Sequence, residues 1–302
     1  MKRLTTILLA LTFISIQTAK TQDNGLDAII KKGATLETIT DSFEFTEGVT
    51  SDKKGNIYFT DQPSNSILTY NEKKGVSVFL TPAGRSNGMI CDKDGNLWSA
   101  ADEKNEIWKI APDKTVEKIS NSYNGKVYNG PNDFWPDLKG GIYFSDPFFR
   151  RTWWDHKDMP QEKQRVYYIK PDHKTIIIVV DDMLQPNGII GTPDGKVLYI
   201  ADMRANKTYK YDMNPDGTLS NKTLFCEMGS DGMTIDEKGN IYITGGKGVT
   251  VFDKTGAKLG NISIPQSWTS NLCFGGKDMK SLYITASKGL YRMRMNVKGS
   301  HY

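Results

Sequence analysis

Apolar and polar residues alternate along this chain in short runs of about five, the length and period of half-buried strands. "NIYFT", "NLWSA" and "KVLYI" are such runs. Each follows a polar Lys/Asp/Gly turn, and a shorter apolar stretch stands before the turn. Set against itself, the chain yields six copies of this unit. They are "EGVTSDKKGNIYFTD" from Glu47, "NGMICDKDGNLWSAAD" from Asn87 and "NDFWPDLKGGIYFSDP" from Asn132. The others are "NGIIGTPDGKVLYIAD" from Asn187, "DGMTIDEKGNIYITGG" from Asp231 and "NLCFGGKDMKSLYITAS" from Asn271. A Gly stands eight residues after the leading polar residue in five copies (Gly55, Gly95, Gly140, Gly195, Gly239), and Met279 takes its place in the sixth.

Successive copies begin 40, 45, 55, 44 and 40 residues apart. Repeats of that length with several strands each predict a β-propeller. Two more strand-like runs follow the first copy, "SILTYN" and "VSVFLT", so four strands per unit and six units predict an all-β, six-bladed β-propeller. The last unit runs out of chain after "GLYRMRMNV", and "TLETIT" near the N-terminus is expected to supply its outer strand and close the ring.

The first strand of a propeller blade lines the central channel. Glu47, Asn87, Asn132, Asn187, Asp231 and Asn271 are therefore expected to face one another around the axis at one level. Any one Asn-Gly or Asp-Gly here reads as a turn. Together they resist that reading, because the glycine turn falls eight residues later. Two carboxylates and four carboxamides form an oxygen-rich set without His or Cys, which favours a divalent cation in the central channel, calcium first, with Mg2+, Mn2+ or Zn2+ as alternatives. Polar packing around ordered water is the bland alternative.

The loops at the ring end of the channel are expected to be those after Asp61, Asp102, Asp146 and Asp202. Most are short, but "PFFRRTWWDHKDMPQEKQR" follows Asp146. This long loop carries Arg150, Arg151, Trp153, Trp154 and His156, and is a candidate lid or substrate wall. His156 is either a proton carrier or a solvated side chain.

Composition changes this picture little. The 302 residues carry a formal charge of +4 from 39 basic and 35 acidic side chains, with no basic block to suggest nucleic acid. Cys91, Cys226 and Cys273 are odd in number and lack CxxC spacing, which argues against a disulfide framework or zinc site. The first residues, "MKRLTTILLALTFISIQTAKTQ", join basic Lys2 and Arg3 to an apolar run from Ile7 to Ile16 that is too short for a membrane span. Residues 1–21 are thus expected to be a signal peptide and 22–302 a single exported domain, periplasmic or secreted, with no membrane insertion after cleavage. Oligomeric state is left open.

"FTEGVTSDKKGNIYFTD", "GPNDFWPDLKGGIYFSDP", "PNGIIGTPDGKVLYIAD", "DGMTIDEKGNIYIT" and "NLCFGGKDMKSLYIT" resemble the gluconolactonase–regucalcin family over residues 40–295. The resemblance implies a six-bladed propeller with a divalent metal in its channel, related more distantly to diisopropylfluorophosphatase and paraoxonase. It implies Glu47, Asn187 and Asp231 as metal ligands, Asn132 as a neighbouring contact to metal or substrate, and Asp231 as catalytic base or nucleophile. In regucalcin-like members an Arg that holds the sugar stands two residues before the Asn of the "ND" pair. Here that position is Gly130, and Arg150, Arg151 or the tryptophans are the candidates to replace it.

The expectation is therefore a metal-dependent lactonase acting on a small sugar lactone, with Asn87 and Asn132 orienting the substrate. Phosphoester or organophosphate hydrolysis would use the same ring. A non-catalytic binding propeller would be expected to lose polar residues from it, and none is lost.

Overall fold

The computed structural model describes residues 25–246 and 248–300; the expected signal peptide lies outside them. Six four-stranded antiparallel sheets surround a central channel. Blade 1 runs Thr46–Ser51, Ile57–Asp61, Ser66–Asn71 and Gly75–Leu80 from the axis outward. Blades 2 to 5 repeat the order, their innermost strands being Ser86–Cys91, Phe134–Pro136, Pro186–Gly191 and Met233–Ile235.

In blade 6, Thr269–Gly275, Ser281–Ala286 and Gly289–Arg294 take Glu37–Thr40 as their fourth strand, with Glu37 opposite Arg292. The "TLETIT" segment thus closes the ring as expected. Closure covers the edge that Gly289–Arg294 would otherwise expose and couples the two ends of the domain. Aromatic and branched residues of the second and third strands, among them Phe59, Phe144, Tyr167, Ile200, Ile243 and Ile284, are fully buried between blades.

The leading Gly of the "EG", "NG" and "DG" pairs serves close packing. A Cβ on Gly48 would stand 2.2 Å from the Asn87 carbonyl oxygen, and one on Gly88 would stand 1.9 Å from that of Asn132. The missing side chain lets each innermost strand approach the next blade's leading residue. Hydroxyls tie the same seam, as where Thr60 donates to the Asn87 carbonyl at 3.0 Å.

Strand pairing also shifts at the leading residues. The register slips between Glu47 and Thr50, between Ser86 and Met89, and between Pro186 and Ile189. Such a bulge bends the strand and re-aims a side chain, here towards the axis. In blade 6 the slip comes earlier, between Thr269 and Asn271, and Asn271 stays in regular pairing opposite Thr285.

Candidate active site

The ring end of the channel holds a cavity of about 260 Å³. Glu47, Asn87, Asn132 and Asp231 line it, with Arg151 and the apolar walls Phe45, Phe149, Met203 and Trp268. The four ring residues are buried although no strand connects them directly. Asn187, fully buried, donates through Nδ2 to Asp231 Oδ1 at 2.8 Å. The Trp268 indole N–H donates to Asp231 Oδ2 at 2.7 Å. Asp231 is thus held by side chains from blades 4 and 6.

The expected ring is incomplete in one place. Asn271 does not line this cavity. Its Oδ1 accepts from its own neighbour Leu272 N at 2.8 Å, and it borders a smaller internal space with Asp133. The Asn271 amide is folded back onto its own strand's backbone and is thereby held away from the cavity that Glu47, Asn87, Asn132 and Asp231 line.

Burial raises the proton affinity of both cavity carboxyls. Burial, and then the negative charge of Asp231, push the Glu47 carboxyl well above the usual range. Burial also raises Asp231, against the lowering by its Trp268 and Asn187 donors and by Arg151. Beside them, Asn87 Oδ1 and Asn187 Oδ1 are buried without a hydrogen-bond partner. Orphaned buried acceptors of this kind call for a donor or a cation. Two carboxyls and two open amide oxygens form a hard, all-oxygen donor set, so the residues fit a divalent cation and suit calcium's tolerance of mixed oxygen ligands. Among the described residues no cluster of three or more His, Cys, Asp or Glu offers another metal site.

The long loop, residues 147–164, is fastened at both ends. Trp154 Nε1 donates to the Asp102 carbonyl at 2.6 Å, while Gln161 Nε2 donates to the Lys126 and Val127 carbonyls at 2.7 and 3.0 Å. These ties make it a wall over the site. Arg151 enters the cavity from it, whereas Arg150 is exposed and outside the lining. Trp153 lies behind Arg151 and borders an outer groove with Trp154 and His156. His156 stacks on Trp154 at 4.8 Å and is not among the cavity's lining residues.

The loop also accounts for Gly130. A Cβ there would meet the Trp154 ring at 3.0 Å, so a longer side chain has no room. Arg151 is the arginine that reaches the cavity instead.

Two functional residues escaped sequence reasoning. Trp268 sits in a non-repeating segment before blade 6, where nothing in the sequence signals it. Asp133 had a signal: it replaces the Gly that follows Glu47, Asn87, Asn187 and Asp231. It lies at the channel's core, accepts from Phe134 N at 3.1 Å and Ile189 N at 3.4 Å, and burial pushes it up to about 8. Cys91 and Cys226 are buried in the blades and Cys273 is half-buried.

A family model described as SMP-30/Gluconolactonase/LRE-like region matches residues 45–288. The chain belongs to this family. Within it, the chain is 30% identical to a gluconolactonase of Zymomonas mobilis, over 94% of this chain and 91% of that one. A solved gluconolactonase from Xanthomonas campestris superposes with a TM-score of 0.82 at 26% identity, covering 89% of this chain and 92% of that one. A calcium-binding regucalcin from Agrobacterium tumefaciens shares the fold, with a TM-score of 0.73 at 16% identity over 88% and 96% of the two chains. As a member of the SMP-30/gluconolactonase/LRE-like family, the chain shares the six-bladed propeller of these solved relatives.

Proposed function

We propose that this protein is an exported, metal-dependent lactonase that hydrolyses a sugar lactone to its aldonic acid in the ring cavity. One observation carries the reading: in a family member with gluconolactonase relatives, two buried carboxyls line one ligand-sized cavity, with the unpartnered amide oxygens of Asn87 and Asn187 beside them. Glu47, Asn187 and Asp231 would hold a divalent cation, calcium by preference, with Asn132 beside them. Such an ion supplies polarisation of a carbonyl oxygen at the site.

The chain's own residues do the rest. Asp231, its two oxygens aimed by Trp268 and Asn187, takes a proton from water as that water adds to the lactone carbonyl carbon, or adds directly itself. The ring C–O bond then breaks. In the first route the ring oxygen leaves as a hydroxyl with the proton Asp231 took. In the second it takes a proton from water, whose hydroxide then cleaves the acyl anhydride on Asp231 and restores the carboxylate. Asn87, Asn132 and Arg151 orient the lactone, and Phe45, Phe149, Met203 and Trp268 exclude bulk water from it. Export rests on the sequence of residues 1–21, with 22–302 as one domain, and among the described residues no helix is long and apolar enough to cross a membrane.

The test is hydrolysis of glucono-δ-lactone by the purified mature chain, followed with a pH indicator before and after EDTA. Turnover lost to EDTA and restored by calcium is the expected result. If a divalent ion binds, seen by calorimetry, but neither this lactone nor a wider lactone panel turns over, the lactonase reading fails and phosphoester substrates come next.

A further inference from the structure

We infer that Asp102 is a positioning residue that holds Arg151 over the cavity and thereby sets lactone affinity; the inference rests on the lactonase reading above. Asp61, Asp102, Asp146 and Asp202 look equivalent in sequence, each ending an aromatic or apolar second strand. Strand pairing separates them. Asp61 pairs with Thr46 and Asp202 with Pro186, each the residue before a leading Glu47 or Asn187. In blade 2 the residue before Asn87 is Ser86, and it pairs with Ala101. Asp102 is thus one step beyond its apparent counterparts, and one step turns a side chain to the opposite face.

The consequence shows in the hydrogen bonds. Asp61 accepts from Phe45 N at 3.0 Å, Asp146 from Asn129 N and Gly130 N at 3.0 and 2.8 Å, and Asp202 from Leu184 N and Gln185 N at 2.8 and 3.0 Å. Each of these carboxylates ties down the backbone leading into its own blade. Asp102 does not. In blade 2 that task falls to Asn65, whose Oδ1 accepts from Ala83 N at 2.9 Å and Arg85 N at 2.7 Å. Asp102, only 1% exposed in its side chain, is left to accept from Arg151 Nε at 2.8 Å and Gln62 Nε2 at 2.9 Å through the same Oδ2.

A buried charge in this setting needs its partner, and the partner is a loop arginine. Binding through Nε fixes the plane of the guanidinium but leaves both Nη groups without a hydrogen bond among the described residues, in a cavity beside Asn87 and Asn132. The Trp153 ring 5.7 Å from the Arg151 guanidinium carbon, and Phe149 at 5.6 Å, limit its remaining freedom. A preset pair of donors loses little entropy when it meets lactone oxygens. Asp102 touches no substrate; it acts through Arg151.

The experiment compares wild type with Asp102→Asn, Arg151→Ala and the double variant. Arg151→Ala and Asp102→Asn are each expected to raise the KM for glucono-δ-lactone by about tenfold, with kcat changed by less than about threefold. The double variant should be no worse than Arg151→Ala alone. Trypsin gives a readout without turnover: cleavage after Arg150 and Arg151 should quicken in folded Asp102→Asn. An unchanged KM in Asp102→Asn, effects that multiply in the double variant, or unchanged trypsin cleavage would each overturn the inference. If Asp102→Asn does not fold, Arg151→Ala and Arg151→Lys decide from the exposed side, since a KM unchanged in both removes the role assigned to Arg151. Should wild type hydrolyse no lactone, the functional reading falls and trypsin cleavage alone judges the placement.

Discussion

Asp231 and Asp236 stand at the two ends of one three-residue strand, Met233–Ile235, and both are buried, yet they are held in opposite ways. Asp236 closes its own turn. It accepts from Lys238 N, Asn240 N, Asn240 Nδ2 and the Tyr242 hydroxyl, all within six residues and all between 2.8 and 3.0 Å. Asp52 and Asp92 do the same at the corresponding turns of blades 1 and 2. Asp231 accepts from no backbone N–H in its own turn. Its two donors, Asn187 and Trp268, come from 44 and 37 residues away, and unpartnered amide oxygens lie alongside. A carboxylate that shapes the fold satisfies itself locally. The one proposed for the chemistry is held at a distance, with unpartnered amide oxygens beside it.

Exchanging the charge of each should separate the roles. Asp231→Asn keeps size and one acceptor, so the propeller should fold with wild-type circular dichroism while turnover falls about 10²–10⁴-fold, the range for a lost proton-transfer group. Turnover near the wild-type value would remove Asp231 from the chemistry. Asp236→Ala should do the reverse. It strands several buried donors, so stability in urea should fall by roughly 3 kcal/mol while activity per folded molecule stays within about twofold. Comparable activity losses in both variants would dissolve the distinction.

The same pair explains what the sequence could convey. Asp236 and its turn are local, so "DEKGN" predicts both strand and glycine, and six such turns predict the blades. Gly55, Gly95, Gly140, Gly195 and Gly239 indeed adopt positive φ, and Met279 follows them at 56°. The polar ring was legible for a similar reason, as pseudo-symmetry carries Glu47, Asn87, Asn132 and Asp231 to one cavity. What escaped depends on single-residue register. Asn271 folds its amide back onto Leu272 N, and Asp102, one residue past the end of Leu97–Ala101, meets the loop arginine. Neither leaves a mark in composition or repeat length. Trp268 and the inward reach of Arg151, as against Arg150, depend on loop paths that no repeat specifies.

Cation binding sharpens the contrast more gently. If the ring end completes its coordination with calcium, the ion binds the folded chain and not the unfolded one. At a hundredfold excess over Kd it should then add about 2.7 kcal/mol of stability, read as a rise in Tm that EDTA reverses. Asp231→Asn should lose most of that rise, and Asp236→Ala should keep it on a lower baseline. A Tm indifferent to calcium, magnesium, manganese and zinc would leave the two open amide oxygens to water.

Asp133 lies between the two types and gives the smallest effect. Like Asp236 it accepts backbone N–H groups, Phe134 N and Ile189 N, but only two, and burial drives it up to about 8. An unfolded Asp titrates near 4, so the folded chain holds this proton more tightly than the unfolded chain does. The stability this adds is complete below about pH 4 and is lost as the pH rises through 8. Asp133→Asn cannot titrate. Its stability relative to wild type should therefore improve between pH 5 and pH 8 by at least about 1 kcal/mol in metal-free protein, measured by urea melts at each pH. Glu47 and Asp231 share the channel with Asp133 and feel its charge, so the difference reads Asp133 together with its effect on them. A difference that stays level with pH would mean that Asp133 is ionised in the folded chain and faces a positive partner in the channel, which would place it with Asp231 rather than with Asp236.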